Sequence, residues 1–137
     1  MYLLGGFQMD DKTLLKMGEY NPLFNQILGI NINVKDIYRS KGLTNHMIKH
    51  RHEKCLKYID YIPDIIKNPD YIGINPNENG NDSIELIKCY KDNVMIGIKV
   101  DASGDYLYVS TMHDIQEQKI KRRLHSGRIK PVHLTNG

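Results

Sequence analysis

The chain of 137 residues has no tryptophan, two phenylalanines and two cysteines. Cys55 and Cys89 lie far apart without CxxC spacing, so neither a cysteine zinc site nor a dithiol redox motif is encoded. The expectation is a reduced, buried pair, one in a helix and one in a strand. No apolar run approaches 18 residues, which excludes a transmembrane helix. Met1-Tyr2-Leu3-Leu4-Gly5-Gly6-Phe7 is too short for a secretory leader and lacks its basic flank, so cytosolic synthesis is expected, with leaderless export left open. GxxxxGK[ST], GxGxxG and GxSxG are missing, as is the paired acidic motif of a two-metal nuclease. Chemistry here, if any, is expected to be acid/base work without cofactor or metal.

What is present suits one domain over 1–137, with a weakly patterned segment at 1–26 and a core over 27–130. Forty per cent hydrophobic and 26% charged residues are ordinary for a soluble protein. A net charge of +3 permits a nucleic-acid partner without demanding one.

Hydrophobic spacing sets out the elements. Lys12-Thr13-Leu14-Leu15-Lys16-Met17, after Asp10 and Asp11, reads as a short helix ended by Gly18. Ile30, Ile32 and Val34 alternate with Asn31 and Asn33, the period of a strand over 26–34. Ile37-Tyr38-Arg39 reads as another short strand. Thr44 reads as the N-cap of a helix over 45–61, with Ile48, His52, Cys55 and Ile59 on its apolar stripe. Pro63 starts a second helix, stopped by Asn68-Pro69-Asp70. A turn cluster at 75–82 precedes strands at 83–90, 94–100 and 106–111, joined by hairpins, with 94–100 as the central strand. A helical segment over 113–123 ends at Gly127. The expected fold class is α+β: a helical N-terminal half packed on an antiparallel sheet, with a basic C-terminal tail.

Asn45-His46-Met47-Ile48-Lys49-His50-Arg51-His52 holds three of the six histidines and two fixed cations within two turns. Imidazole moves protons near neutral pH, and a neighbouring cation stabilises phosphate. On the helical wheel His52 and Arg51 face the core rim, where two cationic groups call for an anion. His46 and His50 fall on the solvent side; as an i, i+4 pair they also suit a metal, although no further ligand accompanies them. A satisfied core-edge histidine is the competing reading for His52. Lys88 and Tyr90 share the apolar face of strand 83–90 and suit a cleft floor, against a lysine merely snorkelling past the edge. Thr111 ends its strand on the side of Leu107 and Val109, opposite Ser110, and a hydroxyl there can orient a phosphate. Ordinary β-propensity explains it equally. Residues 112–131 carry six Lys or Arg, among them Arg122 and Arg123, against Asp114 and Glu117. That is either a phosphate-tracking rim or a solvated helix face. Tyr58, Tyr61, Tyr106 and Tyr108 can stack bases or simply pack.

Taken in order, Arg51-His52, then Tyr61-Ile62-Pro63-Asp64-Ile65-Ile66-Lys67-Asn68-Pro69-Asp70-Tyr71-Ile72, then Lys88, Val109-Ser110-Thr111 and Arg122-Arg123-Leu124 resemble the phage-associated barnase/EndoU/colicin/RelE-like nuclease domains. The leading histidine of that pattern falls at His46, one position off its usual spacing, and His50-Arg51-His52 leaves two registers open. The resemblance implies metal-independent RNA cleavage through 2′-OH attack to a 2′,3′-cyclic phosphate. It implies His52, Arg51, Lys88 and Thr111 as catalytic residues, with His46, His50, Tyr90, Ser110, Arg122 and Arg123 binding substrate. RNA is the implied partner, with an immunity or antitoxin protein as a second. The host cytoplasm is the implied place of action, reached with a phage particle or by export as a toxin. A binding module on the same fold, gripping nucleic acid or protein without turnover, is the alternative.

Overall fold

Strand pairing rather than one long helix organises the molecule. The computed structural model describes residues 13–76, 83–101 and 103–133. The opening heptapeptide, Asp10 and Asp11, most of the 75–82 turn cluster and Ala102 lie outside the described residues. Among the described residues seven strands form one sheet in the order β1-β2-β6-β5-β4-β3-β7. They are β1 (Leu14–Glu19), β2 (Asp36–Ser40), β3 (Tyr71–Ile74), β4 (Ser83–Cys89), β5 (Asn93–Val100), β6 (Leu107–Asp114) and β7 (Ile129–Pro131). The helices are α1 (Leu23–Leu28), α2 (Leu43–Lys49), α3 (Ile62–Lys67) and α4 (Glu117–Ser126), with a 3₁₀ helix at Glu53–Tyr61.

The α+β class and the central place of β5 follow the sequence pattern. Five buried residues in succession, Val94 to Ile98, require cover on both faces. The β3–β4–β5–β6 pairings are all antiparallel, and the hairpins at residues 90–92 and 101–106 are as expected. The sheet is nevertheless mixed, because β2 pairs with β6 in parallel, Ile37 against Leu107.

The N-terminal third departs most from expectation. Residues 14–19 form a strand, not a helix, because β2 offers them an antiparallel partner. The expected strand at 26–34 is helix α1 followed by coil. Asn25 closes that coil on itself: its side chain donates to Ile32 O at 2.8 Å and accepts from Ile32 N–H at 3.0 Å. Local hydrogen bonding of this kind replaces a sheet ladder.

The sheet carries a core on each face. One holds Phe24, Ile37, Met47, Ile62, Ile65, Leu86, Ile96 and Met112 beneath α1–α3 and the 3₁₀ helix. The smaller holds Ile87, Met95, Ile115, Ile120 and Ile129, where α4 covers the opposite face. Burial of each such side chain contributes about 1.5–3 kcal/mol. Cys55 is buried as expected, whereas Cys89, the last residue of β4, is exposed.

β7 is held by a close backbone approach. A Cβ built on Gly73 of β3 would sit 2.6 Å from Arg128 O and 2.8 Å from Ile129 Cγ2. Gly73→Ala therefore forces β3 and β7 apart and should cost about 1–3 kcal/mol. Urea denaturation of the variant against the parent protein measures this directly.

Candidate active site

The histidine-rich segment is not a continuous helix. α2 begins after Gly42, not Thr44, whose hydroxyl only donates to Lys41 O at 3.4 Å. It ends at His50, and Arg51 has φ 60, alone among the described non-glycine residues in being positive. The N–H of His52 donates to Met47 O at 2.7 Å and that of Arg51 to Ile48 O at 3.1 Å. These two bonds make a Schellman end with arginine at the left-handed position that usually takes glycine. A left-handed residue bearing a Cβ costs about 1–2 kcal/mol, and such outliers concentrate at functional sites.

The break resets the helical phase. Leu43, Met47, Cys55 and Tyr58 become the buried residues, and Ile48, expected on the core stripe, is 54% exposed. Arg51 is exposed rather than turned to the core rim, while His52 is half-buried. Four imidazoles now form a chain. Ring centroids lie 4.4 Å apart for His46–His50, 6.5 Å for His50–His52 and 5.1 Å for His52–His113. Burial first, then the neighbouring His113 and His50 charges, hold His52 below its ordinary value, with Asp114 opposing. His46 is lowered by burial, then by His50 and Lys49. His113 Nδ1 lies 2.9 Å from Asp114 O, a backbone acceptor, so Nδ1 carries the hydrogen and Nε2 is the working nitrogen.

The sheet contributes hydroxyls through a bulge. Between Gly97 and Ile98 the β5–β6 register slips, leaving Ser110 unpaired. Alternation therefore breaks: Leu107, Val109 and Met112 point into the larger core, whereas Ser110 and Thr111 both face the other side. Sequence alternation had put Thr111 with Val109 and opposite Ser110. Gly97 makes room for both, since a Cβ there would meet Thr111 Cγ2 at 2.9 Å and Ser110 Oγ at 3.5 Å. Ser110 Oγ donates to Gly97 O at 3.2 Å. Ser110, Thr111, His46, His113 and Lys99 line a hollow of about 310 Å³ over Gly97.

Beneath it lies a buried ionic triad. Glu85 is 5% exposed. Arg128 Nη2 donates to both its carboxylate oxygens, at 3.1 and 3.3 Å, and Arg123 Nη1 stands 3.7 Å away. Arg123 also meets Met95 Sδ at 3.6 Å. Of the three, Glu85 lines the hollow, whereas Arg123 lines a neighbouring one at the start of α4 and Arg128 another beside β3, so the two guanidiniums offset a carboxylate on the hollow's wall. Arg122 next door is exposed.

Lys88 and Tyr90 do not join this cluster. Lys88 pairs across the sheet with Val94, on the helix-covered face, and its Nζ lies 3.7 Å from Asp70. Tyr90 stacks on Tyr58 with centroids 5.3 Å apart and donates to Asp64. Both consequently serve the packing of α3 and the 3₁₀ helix, with Thr111 and His113 across the sheet from them. The residues that sequence reasoning passed over as site members are His113, Glu85, Lys99 and Arg128. Only Glu85 carried a local signal: a carboxylate inside Ser83-Ile84-Glu85-Leu86-Ile87, a strand otherwise built for burial, needs a cationic partner. Among the described residues no three His, Cys, Asp or Glu are grouped closely enough to hold a metal ion, and no helix is long and apolar enough to cross a membrane.

Compared with known proteins, residues 16–122 match the family described as phage-Barnase-EndoU-ColicinE5/D-RelE like nuclease3. The matched span includes the four imidazoles, Glu85, Gly97, Ser110 and Thr111 and stops just short of Arg123. No curated protein and no solved structure matches the chain.

Two outcomes follow from this geometry. Arg51→Gly relieves the left-handed strain and should raise stability by about 0.5–1 kcal/mol, net of the extra unfolded-state freedom of glycine, while removing a cation beside His52. Equilibrium unfolding reads the first effect. Because His46 and His52 are held below 6.5 in the fold, the unfolded chain takes up more protons there, so their contribution is present above 6.5 and lost as pH falls below it. Urea midpoints between pH 7.5 and 5 should decline, and less steeply in a His46→Asn, His52→Asn double variant.

Proposed function

The chain belongs to that family of phage nuclease-like domains, with nucleic acid as its class of substrate, and we propose that it cleaves RNA by 2′-OH attack without a metal. The observation that carries this reading is the His52–His113 pair, with ring centroids 5.1 Å apart and His113 on the wall of a hollow that also holds two hydroxyls, Lys99 and the arginine-paired Glu85. Transphosphorylation needs one group to take a proton and another to return one. His52, biased towards its neutral form, takes the proton from the ribose 2′-OH as that oxygen attacks phosphorus. His113, through Nε2, gives a proton to the 5′-oxygen as the P–O bond breaks. The products are a 2′,3′-cyclic phosphate and a free 5′-hydroxyl.

Charge builds on the non-bridging oxygens in the transition state. Thr111 donates a hydrogen bond to one of them, and Arg51 and Lys99 stabilise the added charge. Lys88, which the family resemblance implied as a catalytic residue, sits with Asp70 on the other face of the sheet, so Lys99 takes its place beside Arg51. His46, His50 and Ser110 hold the substrate around the reacting phosphate, and Arg123 holds it at the adjoining hollow. On this reading the protein acts in the cytoplasm of a host cell, reached with a phage particle or by export as a toxin, and an immunity or antitoxin protein restrains it.

The test is incubation with total cellular RNA, with and without EDTA, followed by mapping of the cut ends. Cleavage should resist EDTA and leave cyclic phosphates, and His52→Ala should slow it by about 10²–10⁴-fold. Cleavage that survives His52→Ala, or that needs a divalent ion, overturns the mechanism. Salt-sensitive RNA binding with no cleavage would instead make the protein a binding module.

A further inference from the structure

Three hollows follow one another along β6 and share their walls. The first, about 190 Å³, is lined by Ser40, Leu43, Tyr108 and Val109 and shares His46 and Ser110 with the next. The second is the histidine hollow over Gly97. It shares His113 with the third, about 310 Å³, which Asp114, Gln116, Lys119 and Arg123 complete at the start of α4. The chemistry changes along the row. An aromatic and aliphatic end suits a base, a middle of imidazoles, hydroxyls and Lys99, its Glu85 carboxylate taken up by Arg123 and Arg128, suits a reacting phosphate, and Lys119 with Arg123 suits a second phosphate. Asp114 opposes them in the third hollow, with its carboxylate 3.9 Å from Lys54.

We infer that β6 is a track for single-stranded RNA, holding three consecutive positions: a base against Tyr108, the scissile phosphate among the histidines, and the next phosphate at Lys119 and Arg123. This deepens the ribonuclease reading and rests on it for the identity of the middle position. The strand is eight residues long, about 26 Å at ~3.3 Å per residue, several times the ~3.4 Å rise of a stacked nucleotide. Hollows of this size admit single bases and phosphates but no duplex. Tyr108, half-buried, offers its ring only to a base that has left its pair, which is how aromatic side chains read single strands. The backbone carries the salt-dependent affinity, and the tyrosine adds a base preference on top of it.

Binding separates this inference from catalysis. Labelled 2′-O-methyl oligonucleotides lack the attacking hydroxyl, so their affinity is measurable by fluorescence anisotropy whether or not the protein cuts RNA. Affinity should rise from dimer to tetramer and then level off, and the same sequence in a duplex should bind at least tenfold more weakly. Lys119 is exposed, so Lys119→Glu should fold normally; it should abolish most of the gain from dimer to tetramer and flatten the salt dependence. Tyr108→Leu keeps an apolar side chain and should weaken tetramer binding at least fivefold, with thermal melting confirming its fold. Duplex bound as tightly as single strand, no single-strand binding at any length, or a length gain untouched by both variants would each overturn the track. Failure of the ribonuclease reading shows itself separately, as intact 2′-hydroxyl RNA in the cleavage assay.

Discussion

At Arg51 the backbone turns left-handed, and the meeting of His52 with His113 depends on that one conformation. Had α2 continued at 100° per residue to Tyr61, His52 would have entered the core, whereas His46 and His50, which precede the break, stay exposed as the helical wheel expects. The Schellman end, with Met47 O accepting from His52 N–H, stops the rotation after two turns and swings His52 towards β6. There it meets His113, a residue more than 60 positions away in the chain. A residue with a Cβ in this conformation is a standing cost, offset here by Leu43 and Met47 in the larger core.

The sheet supplies the complementary half by a similar local irregularity. One unpaired residue, Ser110, turns two consecutive hydroxyls to the same face, and the missing side chain of Gly97 leaves space above the strand for them. Glu85 and its two arginines then supply charge below. Breaking such a buried group by removing one member costs about 3–5 kcal/mol, because the remaining ions lose their partner in a poorly solvated place. The triad also ties α4 and the start of β7 to β4. The same three side chains thus hold these elements together and offset the carboxylate on the hollow's wall.

The sequence was informative where structure is locally encoded. α3 at Pro63, the β4–β6 run, the central β5 and the glycine end of α4 at Gly127, with φ 82, all correspond to pattern and punctuation visible in the chain, whereas β3 was not marked as a strand. It misled where a segment could satisfy two patterns. Residues 12–17 suit a helix in isolation but take the partner offered by β2, and Ile30, Ile32 and Val34 alternate without ever forming a ladder. At the candidate site, His52, Arg51, Thr111, Ser110 and His46 stood out in the sequence as candidates. Their companions were not, because His113 gains meaning only from the β5–β6 register and Arg128 only from its contact with Glu85. Lys88 looked like a cleft residue because the alternation of β4 was read correctly, but the apolar face it shares is the one that the helices cover.

The amino-acid order alone determined an α+β domain with a three-strand antiparallel meander, a concentration of imidazole and cationic groups before it, and membership of a nuclease family across residues 16–122. Those properties follow from periodicity, turn chemistry and short ordered motifs, all of which act within a few residues. Tertiary structure decided which imidazoles meet, which face Thr111 takes, and that Lys88 belongs elsewhere. The reason is geometric: a one-residue bulge reverses strand alternation and a single left-handed residue resets a helix, and neither shift leaves a mark in the pattern until the partner strands are in place.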